Sequence, residues 1–168
     1  MIKLTEEKIK NGSGEKKIVR ISLNRPDVRN AFNPEMIAQL TKSFRAFADR
    51  SDLSAVVLSG EGKSFCAGAD LSWMQDMVQY SLEQNKKDSE QLFEMFAAIW
   101  QCPLPVIGVV HGAVFGGALG LIACCDYVFA EEKTQFCFSE VKLGLAPAVI
   151  SHFVVRKASL AAVMPWML

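Results

Sequence analysis

Phe65-Cys66-Ala67-Gly68-Ala69-Asp70-Leu71 follows the apolar run Ala55-Val56-Val57-Leu58-Ser59, which the turn Gly60-Glu61-Gly62-Lys63 closes, and it opens into a helix-like stretch. The same succession recurs where Val106 to Val110 leads into Gly112-Ala113-Val114-Phe115-Gly116-Gly117-Ala118-Leu119-Gly120. A strand that turns through small residues into a helix leaves backbone N–H groups unpaired at the helix start, with no bulky side chain in front of them. Two such amides aimed at one point would hold a developing oxyanion. Twenty residues beyond Gly120 stands Glu140, in the apolar setting Phe136-Cys137-Phe138-Ser139-Glu140-Val141. Oxyanion donors with one desolvated carboxylate suggest proton chemistry beside a carbonyl.

Outward from these segments the pattern alternates strand and helix. Lys16 to Leu23 reads as a strand with Val19, Ile21 and Leu23 on one face, and Asn24-Arg25-Pro26-Asp27 turns the chain. Asn33-Pro34 is an N-cap followed by proline at the first helical position, and predicts a helix to about Arg50 with the stripe Met36, Ile37, Leu40, Phe44 and Phe47. Helices are expected from Leu71 through Val78 and from Leu82 to Trp100. The second has Leu92, Phe93, Met95, Phe96, Ile99 and Trp100 as its packing face. The second glycine segment starts a helix through Cys124. Asp126 to Phe129 and Gln135 to Phe138 are further short strands, and Ala148 to Lys157 a helix. This order predicts an α/β fold with right-handed crossovers, as one domain over 1–168.

Composition narrows the function classes. The 168 residues suffice for one core, 51% are apolar and 21% charged, and Lys+Arg equal Asp+Glu at 18 each. No field selects nucleic acid or an anionic membrane. Apolar tracts are broken before membrane-spanning length. The acidic start Met1-Ile2-Lys3-Leu4-Thr5-Glu6-Glu7 lacks the apolar centre of a secretory signal, so a cytoplasmic or equivalent reducing compartment is expected. Cys66, Cys102, Cys124, Cys125 and Cys137 are odd in number and lack metal-ligand spacing. Buried free thiols are expected, and no metal site. Cys66 lies in the first glycine segment, yet neither His111 nor His152 has an obvious tie to it as a nucleophile's partner.

Five strings in order resemble the crotonase, or enoyl-CoA hydratase/isomerase, superfamily. They are Leu23-Asn24-Arg25-Pro26 with Asn30-Ala31-Phe32-Asn33; Phe65 to Leu71; Val110 to Gly117; Cys125-Asp126; and Phe136 to Gly144. The resemblance implies a spiral of ββα turns, assembled as a trimer or hexamer, that binds an acyl-CoA thioester. Coenzyme A would enter as part of that substrate, with no permanently bound cofactor. It implies oxyanion-hole amides at Ala69 and Gly117, and Glu140 as catalytic carboxylate; the alternate positions of Phe136 and Phe138 beside it predict an apolar wall that raises its pKa. Val28, Arg29, Ala31, Ala67, Gly68, Ala69, Asp70 and Leu71 would line the coenzyme A path, although Arg29 reads equally as an exposed charge. Trp73, Met74, Met77 and Phe115 are candidates for the acyl pocket and equally for the core.

Two departures stand out. Two-acid hydratases carry a glutamate where this chain has Gly120, so two acids holding one water cannot be written. Asp126 looks like a buried structural aspartate, and Asp70 looks committed to its loop. The chain also stops early for the family, at Met164-Pro165-Trp166-Met167-Leu168. The usual C-terminal helical region is expected to be missing, with Pro165 interrupting a helix and apolar surface exposed at Val154, Val155, Leu160, Trp166 and Leu168. Within the family, Gly68-Ala69-Asp70-Leu71-Ser72-Trp73-Met74 and the string from Ser139 to Ser151 resemble bacterial methylglutaconyl-CoA hydratase-like members. The implied activity is hydration of a 2-enoyl-CoA through an oxyanion hole and a single glutamate. Enoyl-CoA isomerisation, or an inactive acyl-CoA-binding protein, are the alternatives.

Overall fold

Strand alternation on Val19, Ile21 and Leu23 buries all three against the helices, and their strand β2 (Gly14–Leu23) organises the main sheet. The computed structural model describes residues 1–11 and 14–167. The sheet runs β1-β2-β3-β4-β6, with β1 at Ile2–Asn11, β3 at Leu53–Gly60, β4 at Val106–Val110 and β6 at Tyr127–Ala130. β1 pairs antiparallel with β2, and every later pair is parallel. Parallel neighbours need crossovers, which the helices supply.

The helix α1 (Pro34–Phe47) starts where expected, Met36 N donating to the Asn33 side chain, and its predicted stripe is buried. It packs with α3 (Leu82–Trp100) over the core-facing Val56, Leu58, Val106 and Val110. A second, inner layer is built from very short pieces. β5 (Ala113–Phe115) pairs parallel with β7 (Gln135–Cys137), and isolated bridges join Cys66 to Val114 and Phe32 to Ala69. Each turn of chain therefore places one strand in the main sheet, a short extended piece in the inner layer, and then a helix. This is the ββα spiral. Phe32 leads into α1, Cys66–Ala69 into α2 (Leu71–Met77), β5 into α4 (Gly117–Ala123) and β7 toward α5 (Ala148–Ala158). The ends of successive inner pieces thus stack side by side.

Several expectations need correction. β1 carries no legible alternation because it is an edge strand, exposed along most of its length and tied by ion pairs such as Lys8–Glu15 and Lys17–Glu6. Phe93 and Trp100 are not core; they remain 44% and 38% exposed and stack on Phe153 of α5. Pro165 does not stop its helix but lies inside α6 (Leu160–Met167), where it removes one N–H from a helix anchored by Val163 and Met167. Val154 is buried and Val155 packs against the core, whereas Leu160 and Trp166 are exposed as expected. Leu168 lies outside the described residues.

Candidate active site

From Phe65 to Asp70, hydrogen bonds use every amide of the first glycine segment but one. Cys66 N donates to Ala113 O, Ala67 N to Arg29 O and Asp70 N to Phe32 O, while Phe32 N returns a bond to Gly68 O. Gly68 N reaches the Cys66 sulfur. Among the described residues the Ala69 N–H has no partner. Asp70 then caps α2, accepting from Ser72 N, and its second oxygen meets the Arg25 guanidinium at 2.7 Å. Burial pushes the Asp70 carboxyl up, but the bonds from Arg25 and from Ser72 N outweigh it and hold the group below the usual range.

The second segment repeats the arrangement one turn of the spiral later. Gly116 N donates to Cys137 O, Leu119 N to Gly116 O, and the Gly117 N–H is left without a partner among the described residues. The two turns touch: a Cβ on Gly68 would sit 2.8 Å from Phe115 O and 3.4 Å from Gly117 N. Gly116 adopts φ 54°, a left-handed conformation that favours glycine, and its bare Cα makes room for the acid. A Cβ there would lie 2.8 Å from Ser139 Oγ and 3.2 Å from Glu140 Oε1.

Glu140 sits on the 3-10 turn Ser139–Leu143 that follows β7. Its Oε2 is buried with no hydrogen-bond partner among the described residues. Burial raises its pKa above the ordinary carboxylate value, and only its own backbone N–H opposes that shift. The wall expected from Phe136 and Phe138 is not where it was placed. β7 ends at Cys137, before the alternation reaches Phe138. Phe136 is half exposed, and both rings line a separate cavity of about 620 Å³ with Leu119, Val141 and Trp166.

A cleft of about 610 Å³ gathers the other predicted positions: Val28, Arg29, Ala31, Ala67, Ala69, Asp70, Leu71, Gly117 and Glu140. Gly68 is buried where the two turns meet. Of the acyl-pocket candidates, Met74 and Phe115 face this cleft. Trp73 is buried in the core with its indole N–H donating to Asp88, and Met77 packs beside that core. Ser72, Ser139, Lys142 and Leu143 also line the cleft and were not singled out as site residues by the sequence.

Sequence reasoning also missed what holds the rim. Arg29 and Asn30 both have left-handed φ, 51° and 55°. The fully buried Asn30 side chain fixes this bend: its oxygen accepts from Arg25 N, and its amide donates to Glu61 O and Ser64 O. Asparagine's tolerance of left-handed backbone was the available signal.

Other candidates resolve on geometry. Burial pushes the Cys66 thiol up to about 12, the opposite of an activated nucleophile. Asp126 is structural, accepting from Val106 N at 2.7 Å, but exposed rather than buried. At Gly120 a Cβ would lie 2.6 Å from Ile150 Cγ2 and 2.8 Å from Phe96 Cε1. The place of a second acid is filled by apolar packing. Among the described residues no His, Cys, Asp or Glu group of three or more could hold a metal ion, and no helix is long and apolar enough to cross a membrane.

Residues 13–168 match the family model for enoyl-CoA hydratase/isomerase. An enoyl-CoA hydratase of Alternaria alternata is 40% identical over 139 residues, covering 83% of this chain and 45% of that relative. A mitochondrial Δ(3,5)-Δ(2,4)-dienoyl-CoA isomerase of Mus musculus is 33% identical over 154 residues, covering 85% of this chain and 46% of the isomerase. The crystal structure of an enoyl-CoA hydratase from Shewanella pealeana superposes with a TM-score of 0.86 at 39% identity, over 96% of this chain and 60% of that one. The chain thus spans about half the length of these curated relatives.

Proposed function

The chain belongs to the enoyl-CoA hydratase/isomerase family, and from that premise we propose that it hydrates a 2-enoyl-CoA, with 3-methylglutaconyl-CoA or a similar thioester as substrate. The observation that carries this reading is the convergence, on one cleft, of two N–H groups and a carboxylate oxygen that have no partner among the described residues. The thioester oxygen would accept from Ala69 N and Gly117 N, each fixed donor contributing roughly 3 kcal/mol as charge builds on that oxygen. Glu140 takes a proton from water as the water oxygen bonds to the β-carbon, and the electron pair of the double bond moves into the enolate. The same carboxyl then delivers that proton to the α-carbon. A raised pKa suits a group that must both accept and return a proton. Val28, Arg29, Ala31 and the run Ala67 to Leu71 would guide the coenzyme A arm along the rim. Assembly as a trimer or hexamer and a cytoplasmic location belong to the same proposal.

The packing at Gly120 favours isomerisation as a second reading, because moving a double bond needs one shuttling carboxylate and no held water. Incubation with 3-methylglutaconyl-CoA and crotonyl-CoA in ¹⁸O-labelled water separates the readings. Hydration predicts a hydroxyacyl product carrying one ¹⁸O. A product with a shifted double bond and no ¹⁸O selects isomerisation, tested with a 3-enoyl-CoA. Thioester binding without turnover of either kind would mean an inactive binder.

A further inference from the structure

Arg25 is absent from the cleft lining, yet it touches both turns that shape the rim. Its guanidinium meets Asp70 Oδ2 at 2.7 Å, with side-chain exposures of 18% and 13% for the pair, and donates as well to Ala31 O. Its backbone N–H is held by Asn30. Asp70 directly follows Ala69, and Ala31 directly precedes Phe32, whose N–H and carbonyl bracket Ala69 through Gly68 O and Asp70 N. Two restraints that flank the Ala69 N–H, at Phe32 and at Asp70, therefore adjoin groups that this one guanidinium holds. Both contacts leave from one nitrogen, Nη1, so the carboxylate of one turn and the carbonyl of the other are held at a single point.

We propose that Arg25 is a positioning residue: its ion pair with Asp70 fixes the aim of the Ala69 N–H. The inference rests on the oxyanion-hole reading above for its functional consequence, but its structural content is separate. The pair acts on the direction of one donor, not on ligand affinity or on the fold as a whole.

The full chain is compared with Arg25→Met, Arg25→Lys and Asp70→Asn, the last keeping a good helix cap while losing the charge. Two readouts are taken. One is the infrared stretch of the ¹³C-labelled thioester carbonyl of bound butyryl-CoA, a saturated and unreactive probe. The other is hydrogen exchange at the amides of Phe32, Ala67 and Asp70. In the parent the stretch falls on binding. In Arg25→Met and Asp70→Asn it returns at least halfway to the free value, with the butyryl-CoA affinity of Arg25→Met within about threefold, and Arg25→Lys lies between. Exchange at the three amides rises about tenfold while amides in β3 and β4 stay protected. Unchanged exchange in Arg25→Met overturns the proposal, as does an affinity loss with the stretch unmoved. If the parent itself shows no fall in the stretch, the oxyanion-hole reading fails, and exchange alone then decides the clamp. Should Arg25→Met not fold, Asp70→Asn and Arg25→Lys carry the same decision.

Discussion

The turn carrying Ala69 and the turn carrying Gly117 each present an N–H with no partner among the described residues at the start of a helix, but they are held by opposite means. The first is wired by polar side chains: Asn30 spans Arg25, Glu61 and Ser64, and Arg25 grips Asp70. The second has almost no side-chain wiring and is held by the absence of Cβ atoms. Gly112 lies within contact of the Lys63 carbonyl, Gly117 against the Phe32 ring, and Gly120 against Ile150 and Phe96. A polar clamp can be loosened by degrees, because each bond is one of several. A backbone in contact with backbone has no such slack, so the two turns are expected to fail differently.

Gly112→Ala makes the largest break. At φ 59° a Cβ would meet the Lys63 carbonyl, which cannot rotate away, and a loss of about 3–5 kcal/mol is expected in denaturant unfolding. Asn30→Ala strikes the polar turn by stripping one N–H and two carbonyls of their partner. We expect about 2–4 kcal/mol by the same measurement. If Asn30→Ala proves the costlier, the contrast between the turns is reversed. Gly120→Ala should cost about 1–3 kcal/mol through overpacking against Ile150 and Phe96. A glutamate there should raise no hydratase rate, since the carboxylate would have to displace those side chains.

The smallest effect concerns Glu140 and stability. Burial raises its pKa, so the folded chain binds this proton more tightly than the unfolded one. Between the ordinary and the raised values the unfolded state binds fewer protons, and stability falls as pH rises. Glu140→Gln removes that penalty. Its unfolding midpoint should exceed the parent's near neutrality by about 1–3 °C, and the gain should fade as pH drops below the ordinary carboxylate range. A gain independent of pH would assign it to something other than the buried charge.

The glycine turn was the more legible of the two in the sequence, for the same physical reason. Its restraint is written where it acts, in Gly112, Gly116, Gly117 and Gly120, and Glu140 stands out as a carboxylate among apolar residues. The polar turn depends on partners distant in the chain: Asn30 reaches Glu61 and Ser64, and Arg25 reaches Asp70. No local pattern announces such pairs. Periodicity identified the main sheet and α1 because one face of each is buried, and it missed β1, in which no residue from Ile2 to Lys10 is fully buried. It also misplaced Phe136 and Phe138, because a three-residue strand ends before alternation can be relied on. Asp126 is structural, as expected, yet burial does not follow from that role.

In the proposed reaction one carboxylate, Glu140, moves the proton in a cleft whose other working groups are two backbone N–H donors. Single-turnover rates with 3-methylglutaconyl-CoA and crotonyl-CoA for the parent and Glu140→Gln, alongside butyryl-CoA affinity, test it most directly. In Glu140→Gln the rate should fall by about 10²–10⁴-fold while affinity stays within about threefold. Turnover of Glu140→Gln at the parent's rate would rule out Glu140 as the group that moves the proton.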